Sequence, residues 1–552
     1  MSVALLVTVM AACKKSSSSN TPPPAPANLS IKNIFIDAAA VPEGQLRYNI
    51  AVNTVIKIAV SSAVSKATVA SAINLAETGV TPSIALNISY ENNDSTIVLQ
   101  PQAALKHLAK YRVEVKNTLQ SAAGGKLTVP AQRDFITRMD STPKFPLISN
   151  EDLLTKLQQQ TFKYFWDFAH PVSGLARERN TSGDLVTSGG SGFGIMCIPV
   201  AVERSFITRQ QALQRMQTIV GFLKSTAEKF HGAFPHWLNG TTGKAIAFST
   251  KDDGADLVET SYLVAGLLTA RQYFNAASAE ENALRADINS ICDAVEWNWF
   301  RRGGQDVLYW HWSPNYGWDM NLPIRGWNEC LITYILAAAS ATHGIPASVY
   351  TNGWAGSTGF KNGNSYYGYT LPLGVAAGGP LFFSHYSFLG INPNGLKDSY
   401  ADYTTQVKNH TIINYRYCVA NPLNYFGYSN QCWGLTASDI PNGYTASSPT
   451  NDVGVIAPTA ALSSFPYTPD ESMQALQFFY YTLGDKIWKE YGFADAFSLK
   501  DLWYANSFLA IDQGPIIIMV ENYRSGLVWN LLSSCPEIKA AMTMLGFTAP
   551  YL

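Results

Sequence analysis

Glu329 ends the turn Ile324-Arg-Gly-Trp-Asn-Glu329, and behind it runs Cys330-Leu-Ile-Thr-Tyr-Ile-Leu-Ala-Ala-Ala339. A helix that is apolar on nearly every side must be buried. This carboxylate therefore stands where a buried helix opens into a loop. Asp256 and Glu259 hold the same place before the apolar run to Leu268, and Asp512 does so before residues 516–520. Hydrolysing a glycoside takes one carboxylic acid to protonate the leaving oxygen and one carboxylate to activate water or attack. Glu329 is the expected acid, because Trp327 and Cys330 make a nonpolar niche that raises a carboxyl pKa. It also fits an N-terminal helix acid favoured by the macrodipole. Asp256 and Glu259 share a helix face at i, i+3, where two like charges push one pKa up. The same spacing suits an N-cap Asp with its capping-box Glu. Asp512, ahead of Gly514-Pro515, reads as a cap or as a catalytic base. Glu521 and Arg524 read as a buried structural ion pair.

Aromatic residues make up 12% of the chain, and many sit in Gly/Asn/Pro-rich loops, which suits stacking on sugar rings. Trp312, Trp318, Trp327, Tyr386 and Trp433 are the stacking candidates. Arg177, Arg179, His231, His236, His311 and His385 lie in or beside loops and are placed to hydrogen-bond sugar hydroxyls, though each also suits a structural role. His311, between Trp310 and Trp312, combines both functions best. A net charge of -1 gives no reason to expect nucleic acid as partner. With no CxxC and no Cys/His cluster, neither a metal site nor a cofactor is expected. Gly189-Gly-Ser-Gly-Phe-Gly194 precedes an apolar helix and follows no strand, so it reads as a backbone bend rather than a phosphate loop.

The elements that position these residues fall into two classes. Amphipathic helices are expected at 208–230, 282–300 and 471–491. All-apolar ones are expected at 193–202, 257–268, 331–339 and 516–520. Alternation of the two predicts an outer and an inner ring, an (α/α) toroid, over 146–552. Residues 29–140 instead show short β-branched runs and period-two alternation, as at Tyr111-Arg-Val-Glu-Val115, which predicts an immunoglobulin-like β-sandwich. Residues 14–28 form a Ser/Pro-rich linker. Residues 1–13 read as a signal peptide whose lipobox-like end makes Cys13 the lipidated mature terminus. The expected location is the bacterial cell envelope, lipid-anchored, in the periplasm or at the outer-membrane surface. A monomer is expected.

An ordered series of motifs resembles the glucoamylase-like domain over roughly 148–552. It runs Thr161-Phe-Lys-Tyr-Phe-Trp-Asp-Phe-Ala-His-Pro-Val-Ser-Gly-Leu175, Gly192-Phe-Gly-Ile-Met196, Val202-Glu-Arg204, Gly326-Trp-Asn-Glu329, Gly434-Leu-Thr-Ala-Ser-Asp439, Ala457-Pro-Thr-Ala-Ala461, Ile511-Asp-Gln-Gly-Pro515 and Glu521-Asn-Tyr-Arg524. It is most similar to glycoside hydrolase family 144, the bacterial endo-β-1,2-glucanases. That resemblance implies an (α/α)6 barrel, an inverting mechanism and a linear β-1,2-glucan substrate. It also implies functional acids at Asp256, Glu259 and Glu329. The family often has Ala-Ser-Asp-Gly-Pro where this chain has Ala437-Ser-Asp-Ile-Pro441. Exo action, another β-glucan linkage, and a non-catalytic glycan-binding lipoprotein are the alternatives.

Overall fold

The computed structural model describes Met1, Leu5 and residues 25–552; Cys13 and the signal-peptide reading lie outside the described residues. The chain divides into two units, Met1–Met139 and Asp140–Leu552.

The first unit contains strands β1 (Ile31–Ile36), β2 (Ala39–Ala40), β3 (Arg47–Ile50), β4 (Ile56–Val60), β5 (Ile73–Glu77), β6 (Leu86–Glu91), β7 (Thr96–Pro101), β8 (Lys110–Val115) and β9 (Ala131–Thr137), with helix α1 (Lys66–Ala72). They form two sheets, of order β2-β1-β4-β7-β6 and β3-β9-β8-β5. Successive side chains of a strand face opposite sides. In β8, Tyr111, Val113 and Val115 are buried while Lys110, Arg112 and Glu114 stay half-exposed. These three share one core with Ile56, Ile58 and Val60 of β4.

The second unit is mainly helical. Its helices are α2 (Asn150–Trp166), α3 (Ser188–Glu203), α4 (Arg209–Ser225), α5 (Leu257–Tyr273), α6 (Ala279–Asp293), α7 (Leu331–Ala339), α8 (Tyr403–Ala420), α9 (Pro458–Leu462), α10 (Pro469–Gln477), α11 (Gly484–Ile487), α12 (Ala510–Arg524), α13 (Leu527–Ser533) and α14 (Pro536–Met544). The amphipathic helix expected at 208–230 is α4, but that expected at 282–300 ends at Asp293 in α6, and that expected at 471–491 is broken into α10, the π-helical turn Phe478–Thr482 and α11. In α4, Thr208 and Gln211 close a capping box, and Leu213, Met216, Val220 and Leu223 form the buried stripe. The apolar members α12, α3, α5 and α7 lie side by side in that order, with α2 against α12, α6 against α4 and α5, and α14 against α7. Among the described residues, no helix is long and apolar enough to cross a membrane.

The Gly189–Gly194 segment is no bend: it is the first two turns of α3, and it does follow a strand, the short Leu185–Thr187. Glycine is used because α3 and α5 touch backbone to backbone. A Cβ on Gly192 would fall 2.2 Å from the Tyr262 carbonyl oxygen, and one on Gly266 2.3 Å from that of Gly192. Farther along, Arg204 ends α3 and grips Glu521 of α12 through two bonds, of 2.7 and 2.8 Å. This corrects the expected Glu521–Arg524 pair. Arg524, its side chain nearly buried, instead bonds Glu151 and the Gln158 side chain. Pro515 also lies inside α12 rather than in its first turn, because the Ala510 N–H, bonded to the Glu178 carbonyl at 2.9 Å, starts the helix earlier.

Gly266→Ala should destabilise the chain by about 1–3 kcal/mol, the scale of overpacking. An unchanged urea midpoint would contradict the close approach of α3 and α5.

Candidate active site

One cavity of about 510 Å³ is lined by Thr187, which caps α3, by Val258 and Glu259 of α5, by Glu329 just ahead of α7, and by Ile511 of α12. The four buried helices thus point their N-terminal ends at a common space. His236, Trp237, Phe248 and Trp310 supply an aromatic wall, and Tyr386 and Tyr444 line it too. Phe248 is half-exposed and stacks on His236 at 4.3 Å.

Each acid has its own environment. Glu259 accepts from the Gly189 N–H at 2.8 Å and from the Thr187 hydroxyl at 3.4 Å. Any Cβ at Gly189 would sit 2.3 Å from the Glu259 oxygen, so only glycine leaves that N–H open. Burial raises the Glu259 pKa, while the nearby His236 opposes the rise. Asp256 caps α5 through Oδ1, which accepts from Val258 and Glu259 at 3.0 and 2.9 Å. Its Oδ2 meets His236 Nδ1 at 3.1 Å and lies 3.6 Å from His311 Nε2. The antiparallel pairing of Asp256 with His311 sets that register. Burial works against a charge on Asp256, but the bonds from His236 and His311 overcome it and hold the carboxyl below the ordinary range. Burial alone would depress the His236 pKa, yet Glu259 and the bond to Asp256 carry it up to about 9. Asp256 and Glu259 therefore do not form a reciprocal capping box. Asp256 both caps the helix and orients His236, while Glu259 turns to α3.

Glu329 precedes Cys330, the N-cap of α7, and so lies outside the first turn where the macrodipole would favour a charge. Burial comes first in setting its pKa, and the Glu259 and Asp256 charges add to it, raising it to about 7. The Ser387 hydroxyl donates to the Glu329 carbonyl and accepts from the Ile332 N–H at 3.0 Å, which pins the residue at the mouth of the helix.

His236, Asp252 and Asp256 bring three possible ligand atoms within 4.8 Å of one another. His236 and His311 already answer the Asp256 charge there, so the group is balanced from within. Asp512 faces Asp495 rather than the cavity. Burial and the Asp495 carboxyl push Asp512 well up, and burial pushes Asp495 up to about 7. Two carboxyls this close share a proton. Asp512 is not the N-cap of α12, which is Leu509.

Residues 321–536 match the family model "Glycoamylase: Putative glucoamylase", and 39–137 match a bacterial Ig-like domain. An endo-β-1,2-glucanase from Chitinophaga pinensis, solved with sophorotriose and glucose, is 53% identical, covers 74% of this chain and 100% of its own, and superposes with a TM-score of 0.72. A β-1,2-glucanase from Parabacteroides distasonis is 37% identical over 94% of this chain and 74% of its own, with a TM-score of 0.71. The chain belongs to the glucoamylase-like glycoside hydrolases of family 144. A relative from P. distasonis, named an exo β-1,2-glucooligosaccharide sophorohydrolase acting at the non-reducing end, is 46% identical over 72% of this chain. The chain spans 58% of that relative's length.

In this family 144 member, the sequence-derived candidates separate into three groups. Glu329, Glu259 and Tyr386 line the cavity, with Asp256 and His311 directly behind His236. Trp312 and Trp318 belong to a separate aromatic cluster around Trp299. Trp327, His385, Trp433 and Arg177 do not line the cavity, and each has a structural partner instead. Trp327 packs on Phe388 and Tyr403, His385 bonds Ser464 at 3.0 Å, and Trp433 donates to the Glu471 carbonyl at 3.2 Å. Arg177 ties the Gly183 and Phe168 carbonyls at 2.7 and 2.6 Å. Glu178, Trp237, Phe248, Tyr262 and Tyr444 line the cavity without a signal in the sequence beyond lying in loops or beside motif residues.

The protonation of Glu329 has a sign that can be checked. The folded chain keeps this proton up to about pH 7, whereas an ordinary glutamate releases it near 4.5. The stability it contributes is full below 4.5 and is lost as pH rises through about 7. Wild type should therefore lose melting temperature relative to Glu329→Gln between pH 5 and 8, and activity should fall on the alkaline side of about pH 7. A difference flat with pH would show that Glu329 is an ordinary carboxylate.

Proposed function

We propose that the chain hydrolyses linear β-1,2-glucan at internal bonds with inversion, Glu329 serving as general acid and Glu259 as general base. The observation that carries this reading is a carboxyl of pKa about 7 opening on a cavity it shares with Glu259. Such a group holds its proton at neutral pH and gives it up readily in the transition state. The raised pKa of Glu259 makes it a stronger base than an ordinary carboxylate. Glu178 also lines the cavity, where it is paired with the Arg179 guanidinium at 3.0 Å. Asp256 acts through His236, as a positioning residue. A protein that only binds glycan has no use for an acid held neutral in an apolar niche.

The relatives' names support the β-1,2 linkage. Internal cleavage is supported by Arg179, which lines both this cavity and a second one of about 390 Å³ with Asp439, Trp503 and Asn506. That space gives glucan units room beyond the cleaved bond. Release of disaccharide from the chain end, the activity named for one P. distasonis relative, is the second reading. We propose also that the helices close into six pairs, and that Cys13 carries a lipid that holds the chain in the envelope.

Glu329→Gln should fold and bind linear β-1,2-glucan but turn over at least about 100-fold more slowly. Near-normal turnover would end the assignment. Early products of mixed length indicate internal cleavage, and disaccharide alone indicates exo action. An α-anomer released first indicates inversion, while a β-anomer would make the second carboxylate a nucleophile. Cys13→Ser should move the protein from the membrane to the soluble fraction, and unchanged fractionation would count against the anchor.

A further inference from the structure

Trp299 and Trp318 line another cavity, of about 620 Å³, with Glu296, Asn298, Arg302 and the turn Gly303-Gly304. It shares no lining residue with the catalytic cavity. Trp318 lies 4.7 Å from Trp299, with Phe300 and Tyr309 against it at 6.1 and 5.8 Å. Trp299 is itself stacked on His231 at 3.5 Å. The Trp318 indole is thus held in one orientation before anything binds, which lowers the entropy lost on binding. Both rings stay half-buried, whereas Trp297, two residues before Trp299, is only 1% exposed.

The rim adds hydrogen-bonding groups of both kinds. Glu296 holds His231 at 2.9 Å through one oxygen, and Arg302 bonds Asn321 at 2.6 Å through one nitrogen. Each has a second polar end beside the indoles, and Asn298 adds an amide. Gly303 and Gly304, both in left-handed backbone conformation, form an open turn at the rim, where a Cβ at either would meet nothing within 4 Å. Tyr316 and Leu322, on the loop that carries Trp318, are both 43% exposed.

We propose that this cavity is a second carbohydrate site, in which the apolar face of a pyranose stacks on Trp318 and its hydroxyls bond Glu296, Asn298 and Arg302. The choice of a β-1,2-linked glucan as ligand rests on the function proposed above. The site would hold a long chain on the enzyme between cleavages.

Calorimetry of the full chain carrying Glu329→Gln, titrated with a purified β-1,2-linked glucopentaose, tests this. Two equivalents should bind. Adding Trp318→Ala should leave one, or weaken the second by at least about tenfold. Arg302→Gln, at the rim, should weaken the same event while leaving the indole cluster packed. With Glu329 intact, Trp318→Ala should hydrolyse the pentaose at the wild-type rate and show a raised KM on the polymer alone. A single equivalent in Glu329→Gln, or two equivalents unaffected by either variant, would overturn the proposal. Parallel titrations with β-1,3- and β-1,4-linked pentaoses separate the two readings. Trp318-dependent binding of one of these, without β-1,2 binding, keeps the site and removes the linkage. No Trp318-dependent binding of any of the three removes the site.

Discussion

The backbone contact between α3 and α5 is the constraint on which the catalytic end of the second unit depends. Gly192 and Gly266 let the helices approach to a distance no methyl group allows. Two mid-helix glycines cost about 1 kcal/mol each in propensity, and burial of the apolar faces around them offsets that cost. The approach also sets the register of the helix starts. It brings the Gly189 N–H onto Glu259 and Thr187 beside it, and α12 follows against α3. The Arg204–Glu521 pair then ties the opposite ends of α3 and α12.

Within that frame, environment separates three acids of similar chemistry. Asp256 is answered by two histidines and stays charged despite its burial. Glu259 is answered by a backbone N–H, a weaker partner, and its pKa rises. Glu329 has no cation among the described residues acting on it, and it holds its proton to about pH 7. The charge on Asp256 thus contributes to keeping Glu329 protonated, and the same carboxylate orients His236 on the cavity wall. A pair of acids driven apart in pKa by burial and neighbours is the usual basis for dividing acid and base work between like side chains.

Much of this was legible in the sequence. All-apolar runs marked α3, α5, α7 and α12, because a helix with no polar face has nowhere to go but inside. Of the carboxylates at their starts, Glu259 and Glu329 marked the cavity, whereas Asp512 faces Asp495 instead. The aromatic candidates were read less well. Trp327, Trp433 and His385 stand in loop-like sequence, yet they fill core space, since loop composition says nothing about which way a ring points. Phe248 and Tyr444 line the cavity from a loop and a hairpin that only the tertiary fold brings near. The glycine run of α3 looked like a bend because close helix contact leaves no local pattern in sequence. Glu521 took Arg204 over its near neighbour Arg524 because an inter-helix partner, distant in sequence, was better aimed.

The support of Glu329 has a consequence for how the enzyme comes into being on the ribosome. Its carbonyl and the start of α7 are held by Ser387, 58 residues later in the chain. Helix α3, whose first turn holds Glu259, is tied at its far end to Glu521, 317 residues beyond Arg204. Contacts so remote in sequence form only after the intervening chain has been made and ordered. A nascent chain therefore carries all three acids long before it carries an acid of raised pKa, and the assembled cavity arrives only with the C-terminal helices.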